Sequence, residues 1–207
     1  MKKILLFTIA SALIFALAAC AEITTTAQPN NPQQNEQPSN TETNKEPIKV
    51  DLPQTSEINL TLEGFEETRI GKINRSAQDF YIYLIDGYKL EERTGSSAVV
   101  MAYDKDFYAE ITNLGKITDI SKEIELSKTE LKQLGELHVL KATDHFDTFF
   151  HDAKANLLAS STKGSVMILY KEVDGNMMRY RLNMPLKEAA EGAGPHLWGM
   201  LKTIRFI

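Results

Sequence analysis

The sequence predicts an α+β domain in which a mainly antiparallel sheet packs against helices. Three observations lead to this prediction. Short apolar runs are separated by turn dipeptides, apolar residues in the middle of the chain recur at helical spacing, and a last helix is followed by a short strand. Strands joined by tight turns form antiparallel sheets, and helices with one apolar face pack onto them.

Residues 60–112 are predicted to be antiparallel β-structure. The turn dipeptide Asp86-Gly87 follows an aromatic and β-branched run and predicts a hairpin there. A second hairpin is predicted around Asp104-Lys105-Asp106. The predicted strands are 60–62, 68–73, 80–85, 88–90, 98–103 and 107–112.

Helices are predicted in the middle of the chain. Asp119 is placed to cap a helix that carries Ile120 and Ile124, and residues 127–130 form a capping box that opens a second turn. Apolar residues over 146–157 also fall at helical spacing, behind a capping Asp144, although the two phenylalanines in this segment are equally compatible with a strand.

A hairpin over 166–184 is the best-defined predicted element. A turn centred on Gly175-Asn176 pairs apolar residues with one another and sets Glu172 opposite Arg179, whereas a turn centred on Asp174-Gly175 does not. The first register is preferred because it buries more apolar surface and pairs opposite charges.

The chain is predicted to close with a helix and a strand. Gly194-Pro195 fits the N-cap and first position of a helix, and Leu197 and Met200 belong to its buried stripe. Ile204 and Phe206 then point inward from a short terminal strand.

Residues 1–19 are predicted to be a bacterial lipoprotein signal peptide. Two lysines precede an apolar run that is too short to span a membrane and that ends in Leu17-Ala18-Ala19-Cys20, a pattern that resembles a lipobox. A thiolate can form the thioether to a diacylglyceryl group, and two acyl chains hold a protein stably on a membrane. We therefore expect lipidation of Cys20, which anchors the protein on the extracytoplasmic face of the cell membrane. The alternative is an ordinary signal peptide or an uncleaved anchor in which Cys20 has no role.

Residues 20–57 are predicted to be the lipidated N-terminus and a disordered linker, and residues 58–207 a single α+β domain. Between 24 and 47 the only apolar residue is Ala27, so this stretch cannot bury enough surface to offset its ordering entropy. The chain has a formal net charge of −5 and no basic run, which argues against a nucleic-acid partner.

The run from Phe80 to Tyr88 resembles the hairpin that opens Mog1/PsbP-like domains, and the end of the chain from Gly194 to Phe206 resembles the last helix and strand of that superfamily. Ile85 stands where proline is usual, and Tyr88 where tryptophan is usual. The resemblance implies an antiparallel sheet between helices and a binding or assembly role, with no catalytic residue to transfer.

Two groups of residues carry candidate chemistry. Asp144, Asp147 and His151, with His145 and Asp152 beside them, have the residue types of a metal site, but helix capping and the helix dipole explain them more simply. Ser160 and Lys163 match the Ser-x-x-Lys pair of penicillin-recognising enzymes, although Lys-Thr-Gly is absent. We therefore predict no metal, no cofactor and no enzymatic activity.

The predicted partner surface combines aromatic and basic residues of the hairpins, since tyrosine and arginine are favoured at interfaces. It consists of Tyr81, Tyr83, Tyr88, Arg179 and Arg181. The alternative is that the tyrosines cover a sheet edge and the arginines form a solvated face. The predicted function is a lipid-anchored, non-enzymatic module that binds an envelope protein or component. The alternative is a small-molecule or metal-binding lipoprotein, or a weakly marked membrane-surface hydrolase.

Overall fold

The computed structural model describes residues 51–62 and 65–206. The predicted signal peptide, Cys20 and most of the predicted linker lie outside the described residues. Within the described part of the chain, no helix is long and apolar enough to cross a membrane.

The domain is β-rich, and the prediction of an α+β fold with a sheet packed against helices is wrong. Strands contain 50% of the described residues and helices only 21%. The described strands form two antiparallel sheets, and the main core joins apolar residues of both. The smaller sheet therefore packs against much of the surface of the larger sheet on which the sequence pattern predicts helices.

The smaller sheet contains four strands. In spatial order these are β1 (Thr55–Leu62), β2 (Phe65–Arg75), β3 (Phe80–Ile85) and β11 (Arg205–Phe206). The larger sheet contains seven: β4 (Tyr88–Arg93), β5 (Ser96–Met101), β6 (Tyr108–Asn113), β10 (Asn176–Pro185), β9 (Gly164–Val173), β8 (Ala155–Ser161) and β7 (Glu136–Leu140). The helices are α1 (Ser121–Leu134) and α2 (Ala190–Leu201), and 3₁₀ turns cover Ala142–Asp144 and Thr148–Phe150.

Two apolar clusters hold these elements together. The main core contains Phe80 of the smaller sheet, Ile111 of the larger sheet and Leu197 of α2, all fully buried. On the opposite face of the larger sheet, α1 packs Leu131 against Ile168 of β9. Strand β9 is thus buried on both faces, because one face meets the main core and the other meets α1.

Strands β9 and β10 form the predicted hairpin, but in the other register. Val173 pairs with Asn176, and Lys171 pairs with Met178, so the turn is Asp174-Gly175. Both turn residues have positive φ, 49° and 76°, as in the type I′ turn that matches the twist of paired strands. The register preferred from the sequence is wrong because the choice considered burial on only one face of β9, whereas β9 is buried on both faces.

Strands β3 and β4 do not form the predicted hairpin. Strand β3 lies between β2 and β11, and β4 pairs only with β5. Both hydrogen-bonding edges of β3 are therefore occupied, and Asp86-Gly87 carries the chain from one sheet to the other. The predicted hairpin of β5 and β6 is confirmed. Strands β1 and β2, predicted only as extended segments, also pair with each other.

The helix predictions are correct in part. Asp119 accepts a hydrogen bond from the Ser121 N–H at 2.9 Å, at the start of a single helix α1, so no second start occurs at Ser127. Helix α2 begins at Ala190, which places Pro195 inside the helix. The helix predicted over 146–157 is wrong, since this segment forms a 3₁₀ turn and the start of β8.

Candidate functional site

The candidate site lies where α1 meets β10 on the outer face of the larger sheet. Helix α1 packs on β7, β8 and β9 and leaves β10 and β6 beside it. Helical residues at i, i+3 and i+7 share one side, and alternate strand residues share one face. We call this region the α1–β10 border, formed by Ser127, Glu130 and Leu134 of α1, Arg179, Arg181 and Asn183 of β10, and Tyr108 of β6.

Glu130 holds both arginines of β10. Its Oε2 accepts a hydrogen bond from Arg179 Nη2 and its Oε1 accepts one from Arg181 Nε, each at 2.6 Å. The Nε of Arg179 also donates to Ser127 Oγ at 3.3 Å. Each arginine side chain is only 15% exposed. Partly buried charges require such partners, and removal of one partner leaves the other uncompensated.

Tyr108 extends this polar network across β6. Arg181 Nη1 donates to the Tyr108 hydroxyl at 2.7 Å. The guanidinium of Arg93 lies 4.8 Å from the centre of the Tyr108 ring and 3.6 Å from a carboxylate oxygen of Glu110. Hydrogen bonding and cation–π attraction therefore fix the tyrosine between two arginines.

A cavity of about 280 Å³ lies at the Leu134 end of the border. A second cavity, of about 380 Å³, shares Ser161, Ser165 and Met184 with it. The lining of the first is half apolar, so it suits a ligand with an apolar part. Its lining residues are Leu134, Ala159, Val166, Met184, Pro185, Asp106, Ser161, Lys163, Gly164, Ser165 and Asn183.

Ser160 and Lys163 stand beside this cavity without the arrangement of a catalytic pair. Ser160 lies in β8, and Lys163 lies in the turn between β8 and β9. The Lys163 N–H donates to Ser161 Oγ at 3.2 Å, and that hydroxyl donates to the Gly164 carbonyl oxygen. The serine of penicillin-recognising enzymes instead stands at the start of a helix.

The residues considered as candidate metal ligands make local contacts. Asp144 accepts from the Lys141 N–H, and Asp147 accepts from the Phe149 N–H. Within residues 51–62 and 65–206, no group of three or more histidine, cysteine, aspartate or glutamate side chains is placed to hold a metal ion. The further contacts are His151 Nε2 to the His145 carbonyl oxygen, Asp147 to Lys202, and Asp152 to Lys171.

His145 is buried in an aromatic cluster. The centres of the Phe146, Phe150 and Trp198 rings lie 4.6, 4.6 and 4.5 Å from the centre of its ring. Its Nδ1 accepts a hydrogen bond from the Asp147 N–H at 3.0 Å, which places the proton of the neutral ring on Nε2. Burial lowers the pKa of His145, and the nearby Asp147 opposes that effect only in part.

Acid is expected to destabilise the domain through His145. The folded state keeps the ring neutral, whereas the unfolded chain protonates it near its ordinary pKa of 6.5. As the pH falls through that value, the unfolded state gains the proton before the folded state does. The free energy of unfolding therefore decreases, by at most about 1.4 kcal/mol per pH unit for one group. Urea unfolding between about pH 7.5 and 5.5 measures this slope.

His145→Gln is the informative variant, since its amide oxygen can still accept from the Asp147 N–H. Its unfolding free energy should vary less with pH than that of the wild type. His196, whose pKa is also lowered by burial, accounts for part of the slope that remains. An unchanged slope in His145→Gln contradicts the account.

The five residues of the predicted partner surface lie in three places. Tyr81 and Tyr83 are neighbours on β3, and the buried Tyr83 donates its hydroxyl to the Pro53 carbonyl oxygen. The Tyr88 hydroxyl lies 3.2 Å from Nδ1 of His196. Arg179 and Arg181 lie together at the border, away from the three tyrosines, so the five residues do not form one surface.

Sequence reasoning missed Glu130 as the partner of these arginines and Leu134 as a lining residue. The sequence pattern places Glu130 in a predicted capping box, and the preferred hairpin register sets Glu172 opposite Arg179. A usable signal was present. Ser127, Glu130 and Leu134 follow helical spacing, and the carboxylate in this row complements two arginines that alternate on one strand face.

Comparison with known proteins gives one match. The model of a domain of unknown function, DUF8580, matches residues 52–205. This span contains the whole α1–β10 border and the cavity beside it. No curated protein matches the chain.

Proposed function

The chain belongs to the DUF8580 family, and we propose that it acts as a lipid-anchored, non-enzymatic binding module on the extracytoplasmic face of a bacterial cell membrane. The anchor rests on the lipobox-like sequence that ends at Cys20. The binding role rests on the α1–β10 border. The partner is an envelope protein or another component of the envelope.

One observation carries the binding role. Two arginines, each 15% exposed, are held in fixed positions by Glu130, and the half-apolar cavity begins at Asn183 and Leu134 of the same border. Arginine and tyrosine are enriched at the centres of protein interfaces, where an apolar pocket commonly lies beside them. A guanidinium held in place before binding also loses little side-chain entropy when a partner docks.

The contacts of the candidate catalytic and metal-ligating residues support a binding role over catalysis. Ser160 and Lys163 lack the arrangement of an acylating pair, and Asp147 and His151 bind neighbouring groups. A second candidate is a small-molecule-binding lipoprotein. It is favoured by the two adjoining cavities of about 280 and 380 Å³, which lie at the lower end of the usual range for ligand pockets, about 300–1,000 Å³.

Metabolic labelling tests the anchor. Cells given an alkyne fatty acid should attach it to the wild-type protein and leave the Cys20→Ala variant unlabelled. Labelling of the variant, or an unlabelled wild-type protein, would contradict the anchoring proposal.

Chemical crosslinking on intact cells tests the binding role. We expect the wild-type protein to capture one reproducible envelope partner and the Arg181→Gln variant to lose it. The matched control is Arg69→Gln, which removes an exposed arginine of the smaller sheet that pairs with Glu67. Equal capture by both variants, with melting temperatures that show both folded, argues against binding at the border.

A further inference from the structure

We propose that the α1–β10 border binds an extended acidic peptide segment. A carboxylate of the peptide lies at Arg179 and Arg181, and an apolar side chain two residues away enters the cavity beside Leu134. This inference rests on the proposed function and deepens it, because it names the chemistry of the partner. Three features support it: the hydrogen-bond donors that the two arginines leave unused, the net charge of the border, and the spacing between the arginines and the cavity.

The two arginines keep donors that the protein does not use. Arg179 donates through Nε and Nη2, and Arg181 donates through Nε and Nη1. Among the described residues, Arg179 Nη1 and Arg181 Nη2 have no hydrogen-bond partner. A guanidinium presents several donors in one plane and suits a carboxylate as acceptor.

The charge around the border favours an anion. The network contains the guanidiniums of Arg93, Arg179 and Arg181 and the carboxylates of Glu110 and Glu130, which leaves a surplus of one positive charge. The remaining carboxylate at the cavity belongs to Asp106, which shares Lys187 with Asp104, at 2.8 and 2.7 Å, and Lys163 in the cavity lining balances the second aspartate. A carboxylate on the partner therefore meets attraction at this site.

The spacing of the two features fits an extended peptide. Arg181 and Asn183 are alternate residues on one face of β10, and Asn183 lines the cavity. Alternate residues of an extended chain lie about 6.6 Å apart, so a peptide with an acid at one position and an apolar residue two positions along reaches both features. Both edges of β10 are already paired, with β6 and β9. The peptide must therefore lie over the side chains of the sheet and not add a strand.

Glu130 is then an internal competitor for the arginines. Its carboxylate is 37% exposed and accepts from both guanidiniums. A peptide carboxylate at the unused donors of the same guanidiniums lies close to this negative charge and is repelled by it. Glu130→Gln removes the competing charge but keeps an acceptor and the side-chain size. It should bind the acidic peptide more tightly than the wild type, a gain that a purely structural role for Glu130 does not produce.

Fluorescence anisotropy with the full chain in detergent micelles tests the proposal. The probe is a labelled peptide with Glu-Ser-Leu between glycines. The control peptides carry Gln-Ser-Leu, which removes the charge, and Ser-Glu-Leu, which removes the spacing. We expect the probe to bind about tenfold more tightly than either control, the difference of one charge-assisted contact. Equal affinities of the three peptides overturn the proposal.

Variants assign the contacts. Arg181→Gln should lose about tenfold in affinity for the probe, and Glu130→Gln should gain several-fold. Leu134→Ser, at a position already 43% exposed, should remove the preference for Glu-Ser-Leu over Ser-Glu-Leu without unfolding the domain. A Glu130→Gln variant that is folded but binds no more tightly overturns the proposal. So does complete displacement of the probe by inorganic phosphate at the same concentration, which would show a simple anion site.

The outcome separates this inference from the proposed function. If cell crosslinking depends on Arg181 while the three peptides bind equally, the binding role stands and the acidic-peptide inference fails. If the peptide series behaves as expected while capture on cells does not depend on Arg181, the peptide site stands and the proposed cellular role fails.

Discussion

Gly164→Ala is expected to destabilise the domain by about 2–6 kcal/mol. Gly164 has φ +132°, a conformation that residues with a side chain rarely adopt, and an added Cβ would lie 2.3 Å from the Met184 carbonyl oxygen and 2.6 Å from Pro185 Cα. Backbone strain and overpacking each cost about 1–3 kcal/mol. These contacts are with backbone, so no side-chain rotation relieves them. Chemical denaturation measures the loss.

Gly175→Ala is the matched control for this substitution. Gly175 also has positive φ, +76°, but no atom lies within 4 Å of its added Cβ. We expect only the strain of a left-handed residue, about 1–2 kcal/mol. Equal losses in the two variants would show that the close approach of the β8–β9 turn to the end of β10 does not limit stability.

Phe150→Ala is expected to destabilise the domain by about 3–5 kcal/mol, as for other large buried aromatic residues. Its ring is fully buried and lies 4.7 Å from that of Trp198 and 6.2 Å from that of Tyr180. Removal of the ring leaves a cavity between the loop after β7, helix α2 and β10. Denaturant unfolding at neutral pH gives the value.

Phe146→Ala provides the comparison. Phe146 contacts the same histidine, His145, but its side chain is 53% exposed. Its loss should therefore cost about 1 kcal/mol or less. If the two variants differ by less than about 1 kcal/mol, Phe150 does not organise this part of the core as described.

Local sequence patterns predict the strands that pair with near neighbours. Alternation of apolar residues and a short connection are enough for the β5–β6 pair and the existence of the β9–β10 hairpin. These patterns do not report what covers each face. Strand β9 buries Leu169 against the main core and Tyr170 against α1, so its register depends on two packing partners distant in sequence.

The false helix over 146–157 has a similar cause. Phe149 and Phe150 belong to a segment that covers the sheet, and their spacing imitates the apolar stripe of a helix. Contacts of Phe150 with Trp198 and Tyr180 decide its conformation, and no local pattern reports them. The predicted fold class is wrong for this reason. Strands and turns stand where a helix was predicted, and a second sheet packs against the first in place of most of the predicted helices.

The candidate site was predictable in part. Alternation on β10 places Arg179 and Arg181 on one face, away from Tyr180 and Leu182, as the sequence predicts. Their partner Glu130 lies about fifty residues earlier in the chain and is brought there only by the packing of α1. The resemblance to Mog1/PsbP-like domains and the lipidation of Cys20 stay predictions.

Site-specific photo-crosslinking on intact cells tests the central claim, that the α1–β10 border is the binding face. A photoreactive residue replaces Leu134 at the border or, as a control, Ile70, an exposed apolar residue of the smaller sheet. We expect the photoreactive residue at position 134 to crosslink an envelope protein and the one at position 70 to crosslink none. A crosslink from position 70 with none from position 134, or no crosslink from either, would contradict it.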